Sequence, residues 1–349
     1  MKKALIALAV LGLTGGAAVA QSSVTLFGVL DADLKYVKTG DATLKKLDSS
    51  GLGTSRLGVR GTEDLGGGLK AGFWLESEIN PDNGIASTAP TPATPTPSNT
   101  AFWARRATVS LTGDFGEVRL GRNKTVSRLH LEDFDPYAAT GLASVLAVYS
   151  NLGSGNGTAY GRADNLVSYS LPTEGLGGFY GGVDIAAPEG TISNKHQSVR
   201  AGYKAGPLHV SGAYSNAYSA TSKYKLTSVG VSYDLGVAKP SFSYTEGKYN
   251  AAKQSIWTAA VVVPLGQGAI NASYTDAKAN TAAEAIAGVG DAKLFAVGYV
   301  YNLSKRTALY TTYAQIENNG LGRFVVAGAP AAANGQKSSG FDVGVRHSF

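Results

Sequence analysis

Side chains able to do covalent or metal chemistry are few in this chain. It has no Cys and four His, so a nucleophile would have to be a hydroxyl working with one of those histidines and an acid. The densest such run is His130, Leu131, Glu132 and Asp133. It lacks the two histidines one helical turn apart that a motif such as H-E-x-x-H supplies, and it reads as polar charge in a loop. The glycines of "GLGTSRLG" (Gly51 to Gly58) fail as a phosphate loop because no helix or βαβ unit follows them. No catalytic residue, metal ligand or cofactor site is assigned. What the sequence does space regularly is charge. Asp31, Asp33 and Lys35 alternate with apolar neighbours, and the same phase carries Arg56 and Arg60, Lys70, Glu76 and Glu78, Glu117 and Arg119, Arg200, and Asp342 and Arg346. In a strand, every second side chain points the same way. Charge gathered on the wall of a narrow watery passage focuses potential and sorts small ions by sign.

The elements that must position these charges are strands. The opposite phase carries Val24, Leu26, Leu30 and Leu34; Leu57 and Val59; Val109 and Leu111; Val167, Tyr169 and Leu171; Val229, Val231 and Tyr233; Phe295, Val297 and Tyr299. Segments of about ten residues repeat along the chain, as a tilted strand crossing a bilayer requires. Their connections alternate. Short links such as "EDLGGG", "GDFG", "KAGP", "DLGV" and "PLGQG" take turns with long ones: the polar stretch to Ser50, the proline-rich run from Pro81 to Thr100, nearly forty residues after Arg122, and later "SNAYSATSK", "GKYNAAK" and "AKANTAAEAIAGVG". About sixteen strands follow, an even number, with eight long loops at one end and seven tight turns at the other. That rhythm belongs to an all-β, sixteen-stranded antiparallel transmembrane barrel rather than to a soluble sandwich. The closing "FDVGVRHSF" is itself a two-faced strand, and pairing it with the first strand leaves no open edge in lipid. Terminal Phe349 then belongs in an aromatic girdle.

Composition fits that architecture. Gly (45) and Tyr (18) outweigh the single Met, a mixture for strands and turns. "MKK", the apolar Ala4 to Leu13 and "AVA" at Ala18 to Ala20 read as a cleaved secretory leader over residues 1–20, with one barrel domain over 21–349. Removing Lys2 and Lys3 lowers the formal charge from +6 to +4, too mild and dispersed for a nucleic-acid partner.

The stretches "SSVTLFGVLDADLKY", "TSRLGVRGTEDLGGGLKAGFWLE", "GEVRLGR", "DNLVSYSLP", "YNLSKRTALY" and "VGVRHSF" together resemble the general diffusion porins of Gram-negative outer membranes, of the betaproteobacterial type. The resemblance spans the chain from Ser22 to its end. It implies a homotrimer of barrels in the outer membrane, in contact with lipid and lipopolysaccharide and passing small hydrophilic solutes and ions. It also implies that the second loop reaches a neighbouring subunit, and that Phe349 forms part of a signal for barrel insertion. The third external loop folds inward in such proteins. Here the interval from Arg122 to Asp164, apolar from Leu142 to Tyr149, is the segment suited to it. Carried over by motif, an arginine cluster opposite that loop falls on Arg56, one of Arg105 and Arg106, and Arg162. Alignment favours Arg105 and strict alternation favours Arg106. Glu76 on the wall and Glu132, Asp133 and Asp135 in the loop oppose them, so a transverse field and a modest anion preference are expected. The alternative of a sugar- or phosphate-binding channel would call for an aromatic stripe or a dense basic ladder. The inward aromatics are chiefly Phe27 and Trp74.

Overall fold

A computed structural model describes residues 23–87 and 101–349. The leader expected over residues 1–20 and most of the proline-rich loop lie outside the described residues. The described chain is almost entirely antiparallel sheet closed on itself. In chain order the barrel strands are β1 (Ser23–Thr39), β2 (Ala42–Ser49 and Arg56–Gly66), β3 (Leu69–Ile79), β4 (Arg106–Gly113), β5 (Gly116–Lys124), β6 (Arg162–Ser170), β7 (Phe179–Ala186) and β8 (His196–Ala205). The second half comprises β9 (Leu208–Tyr218), β10 (Lys223–Tyr233), β11 (Lys239–Tyr249), β12 (Ala252–Leu265), β13 (Gly268–Ala279), β14 (Ala292–Asn302), β15 (Thr307–Asn318) and β16 (Ser338–Ser348). The two pieces of β2 pair with the upper and lower halves of β1, so they form one broken strand and the count is sixteen.

Closure runs through the ends of the chain. β16 pairs with β1 from Val29 opposite Ser348 to Thr39 opposite Ser338, and Gly28 and Phe349 exchange backbone hydrogen bonds just below. The Phe349 ring lies on the outer face over Gly28, where a Cβ would come within 2.3 Å of it. Glycine at 28 is therefore the seat of the terminal ring. The alternation of faces holds around the wall: Val24 and Leu34 are 69% and 68% exposed, whereas Asp31 and Asp342 are fully buried inside. An apolar exterior and a polar interior is the pattern of a barrel solvated by hydrocarbon outside and water inside.

Three connections expected to be long loops are instead extended strands. The polar stretch after Val37 continues β1 to Thr39, turns over Gly40 and Asp41, and returns as Ala42–Ser49. β11 and β12 are joined by Asn250 and Ala251 alone, and β9 and β10 by four residues. The inner face of these strand ends is buried, but by small or polar residues such as Ala217, Ala252 and Gln254. They show no bulky apolar alternation although their backbone is paired.

The largest apolar core lies inside the barrel. Leu142, Ala143 and Val148 pack with Val37, Ile256, Leu294 and Ile316 of the wall, and Leu131 and Leu152 pack with Tyr224 and Leu226. The third external loop is thus folded into the lumen and docked on the β9–β16 side, as the apolar run Leu142 to Tyr149 required.

Candidate functional site

The infolded loop begins with helix α1 (Val126–Asp133). Thr125 caps it, accepting from Arg128 N–H at 3.3 Å, and the Val126 N–H donates to Asp184 of β7 at 2.5 Å. An oxygen at a helix start satisfies an otherwise orphaned amide, and a carboxylate also suits the positive end of the helix dipole. Further along α1, His130 is fully buried and its ring nitrogens lie 2.8 Å from the hydroxyls of Ser211 and Ser228, one donating and the other accepting. Burial, with Arg200 and His209 nearby, pushes its pKa down to about 3, so the ring is neutral. Past the helix the chain doubles back. Asp135 accepts from the backbone N–H groups of Tyr137, Ala139 and Val145 at 3.0, 3.0 and 3.2 Å. The loop then touches the break in β2, where Gly141, at φ +70°, sits so close to the Gly51 carbonyl that a Cβ would clash at 2.0 Å.

With the loop docked on one side, a passage remains along β2–β6. A concavity of about 360 Å³ there is lined by Arg56, Glu76, Arg105, Arg106, Arg119, Asn123, Lys124 and Arg162, with Leu129 of α1 completing it. Glu76 is the hub of the wall. Arg105 Nε donates to it at 2.6 Å, the Trp74 indole N–H at 3.2 Å, and Arg56 Nε stands 3.9 Å away. Arg105 also reaches Glu78 at 3.3 Å. Arg162 Nε donates to the Arg105 carbonyl at 2.8 Å. Arg106 Nε donates to Thr108 Oγ1 at 3.0 Å while its guanidinium lies 4.3 Å from the centre of the Trp74 ring. Among the described residues, neither Arg106 nor Arg162 has a carboxylate within 4 Å. Their charges face the passage uncancelled.

The structure brings together Arg56, Arg105, Arg106, Arg162 and Glu76. The choice between Arg105 and Arg106 dissolves, because both line the passage. Arg106 is the first residue of β4 and obeys its alternation, whereas Arg105 precedes the strand and is free to turn inward. The loop acids are placed differently from the expectation that they face the arginines. Glu132 is held by Lys124 at 2.7 Å and Arg128 at 2.6 Å. Burial alone would raise its pKa, but those two cations outweigh burial and hold it below the usual carboxylate range. Asp133 is turned to Arg200 of β8, with His209 at 3.7 Å. Asp135 is buried among the loop's own amides; burial pushes its pKa up against those three hydrogen bonds. Neither Asp133 nor Asp135 lines the concavity, because each satisfies a nearer partner.

Lys124 is a lining residue that alternation misses. A register shift between Gly121 and Asn123 reverses the phase of β5, so Lys124 joins Glu117 and Arg119 on the inner face despite its even number. Gly121, at φ +121°, marks the irregularity. Below this level a second cavity of about 600 Å³ is lined by Arg60, Lys70, Arg106, Arg119 and Trp74, continuing the basic track toward the short-turn end.

Comparison with known proteins agrees with this geometry. A family model described as Gram-negative porin matches residues 7–321. Outer membrane porin protein 32 of Delftia acidovorans is 40% identical over 388 aligned positions covering all of both chains. Major outer membrane protein P.IB of Neisseria gonorrhoeae is 31% identical over 205 positions, 56% of this chain and 51% of that one. Among solved structures, the anion-selective porin from Comamonas acidovorans superposes with a TM-score of 0.79 at 34% identity, covering 94% of this chain and all of that one. The trimer form of OmpT of Vibrio cholerae, at 17% identity, shares the fold with a TM-score of 0.63 over 94% of this chain and 99% of that one. A closed sixteen-stranded barrel, a loop docked in its lumen and a family match over most of the sequence lead to one conclusion: the chain belongs to the Gram-negative porin family and forms a diffusion channel in the outer membrane.

Proposed function

We propose that the channel favours small anions, and that the wall of Arg56, Arg105, Arg106 and Arg162 with Lys124 sets that preference. The observation that carries this is the lining of the passage: six cations, with Arg119 the sixth, and, among the described residues, one carboxylate, Glu76. Two of the cations, Arg106 and Arg162, have no ion-pair partner there. Glu132 is occupied by two cations of its own, and Asp133 and Asp135 point elsewhere. The balance is therefore more basic than the sequence count of loop acids suggests. The Comamonas acidovorans porin, described as anion-selective, supports the same reading. Solutes pass by diffusion, with no covalent step.

The test is the reversal potential of the reconstituted protein across a salt gradient. It should report anion preference, strongest at low salt because charges act over only about 10 Å at 0.1 M. A potential of zero or of cationic sign would overturn the assignment.

We also propose that three copies assemble, as the family resemblance implies and as the trimer form described for OmpT supports. Detergent-solubilised protein should have about three times the mass of one chain. A mass near that of a single chain would remove this reading without touching the first.

A further inference from the structure

Below the concavity, two arginines are held in place by an aromatic ring rather than by acids. Trp74 of β3 faces the lumen, directly opposite Arg60 of β2 on one side and Thr108 of β4 on the other. The Arg60 guanidinium lies 5.0 Å from the centre of the Trp74 ring and 5.2 Å from that of Phe27, and the two rings meet edge to face at 5.1 Å. Arg106 lies over the same indole at 4.3 Å. Among the described residues no carboxylate stands within 4 Å of Arg60 or Arg106, because the nearby acids are engaged elsewhere: Glu76 with Arg105 and Arg56, Glu78 with Arg105, and Glu117 with Arg119. The indole is itself held. Its N–H donates to Glu76 at 3.2 Å, and Phe27 packs against it from a seat over Gly58, where a Cβ would come within 2.3 Å of the Phe27 ring.

A carboxylate that fixes a guanidinium also cancels its field. An aromatic face fixes it by attraction to the ring quadrupole and adds no net charge. The difference matters in a passage that sorts ions, where a cation must be both stationary and uncompensated. Height in the lumen matters too. Arg106 lines both the concavity of about 360 Å³ and the cavity of about 600 Å³ beneath it, whereas Arg60 and Trp74 line the lower one alone. Arg60 is four residues along β2 from Arg56, roughly 13 Å at the usual strand rise. Fields are screened over about 10 Å at 0.1 M salt. The cluster around Arg56 is therefore muted where Arg60 stands, and an ion there meets a separate pair of charges.

We propose that Arg60 and Arg106 form a second anion-sorting tier below the concavity, and that Trp74 is its positioning residue. The tier acts on small inorganic anions in transit, chloride among them. Trp74 acts through the two guanidinia, holding them against the wall with their charge intact. Replacing it removes no charge and should still weaken the preference. The inference rests on the anion preference proposed above.

The test is the reversal potential of the reconstituted protein in a potassium chloride gradient at low salt. Trp74→Leu should lower the chloride-to-potassium permeability ratio about twofold, less than removal of a guanidinium outright. Trp74→Phe should keep the parental ratio, since it retains a ring face and loses only the N–H. Arg60→Gln should lower the ratio in the parent and lower it less in Trp74→Leu, the signature of two groups acting as one unit. Trp257→Leu is the control: Ile256 is buried inside the barrel, so Trp257 of β12 points outward, and its loss should leave the ratio unchanged. Circular dichroism of the barrel checks folding in each variant. If Trp74 only narrowed the lumen, Trp74→Leu would conduct more and keep the parental ratio, which would overturn the proposal. Equal loss in Trp74→Phe would assign the role to the N–H bond with Glu76 and overturn it too. So would additive effects of Arg60→Gln and Trp74→Leu, or an equal fall in Trp257→Leu. The parent's own potential reports on the underlying anion preference and the shifts between variants report on the ring, so the two readings fail separately.

Discussion

The two basic regions of this barrel use different residues in different states. Inside, the wall of β2–β6 is arginine held from several directions: Arg105 by Glu76 and Glu78, Arg122 by the Ala104 carbonyl and Asp164, Arg162 by the Arg105 carbonyl. Outside, the row of Lys225, Lys248 and Lys253 on β10–β12 is lysine held at a single point, with Lys248 and Lys253 sharing Glu246; those two side chains are 50% and 42% exposed, against 8% for Arg105. A planar guanidinium with five donors can be locked in place, whereas an ammonium on four methylenes stays mobile. A field that sorts ions needs charges fixed relative to the passage, since charges that follow the ion discriminate less well. Position on the wall, more than net charge, decides what a cation does in this protein.

The largest expected effect comes from removing the two unpaired arginines. Arg106→Gln with Arg162→Gln should shift the reversal potential toward cations at low salt, with a several-fold change in the permeability ratio, as expected for a surface potential of several kT. Arg105→Gln with Glu76→Gln should do less to the ion preference, because the two charges cancel and leave together. A shift from that pair as large as that from the two unpaired arginines would show that paired and unpaired arginines count alike and would break the distinction drawn here.

Fixing the charges also requires the facing loop to stay docked. Leu142→Ala deletes a fully buried side chain and should cost about 2–5 kcal/mol of loop packing. Barrel strand content should not change, because the inter-strand ladder does not depend on Leu142. Single-channel currents should become noisier and their amplitudes broader; sharp, parental currents would mean that the loop is held without this contact.

Acid should loosen the same loop more gently through His130. Its folded pKa, about 3, lies below the ordinary 6.5, so the unfolded or undocked form binds more protons. The stabilisation is fully present above about 6.5 and is lost as pH falls from there toward 3. Current noise should rise across that window and should rise less in His130→Gln, which can keep hydrogen bonds to Ser211 and Ser228 without titrating. An identical acid response in the variant would assign the effect to another group.

The smallest effect sharpens the contrast from the other side. Lys225→Gln, Lys248→Gln and Lys253→Gln together remove three charges yet should leave the reversal potential where it was at 0.1 M salt, because wall and solvent separate them from the passage. A shift as large as that of the arginine pair would show that the exterior field reaches the lumen.

Alternation with period two was enough to place Asp31, Arg56, Glu76 and Asp342 inside and Val24, Leu34 and Val229 outside, because strand geometry ties side-chain direction to residue parity and the two solvents differ so sharply. The even strand count, the closing role of the last strand and the apolar third loop were legible for the same reason: each is a local pattern of side-chain polarity. Strand ends beyond the apolar band were not legible, since their buried face is filled by small or polar residues such as Ala217, Ala252 and Gln254, which leave no bulky apolar alternation. Nor were the register shift that turns Lys124 inward, the inward turn of Arg105 beside Arg106, where alignment and alternation each pointed to one of the two, or the partners taken by Glu132, Asp133 and Asp135. Those depend on which groups meet once the loop folds back across the lumen, and contacts between residues as far apart as Arg200 and Asp133, or His130 and Ser228, have no signature in the order of the chain. The sequence by itself determined a two-faced barrel and the inventory of charge lining it. Only the tertiary structure decided which of those charges are cancelled, because ion pairing is set by distance in space and burial, and both are products of the closed fold.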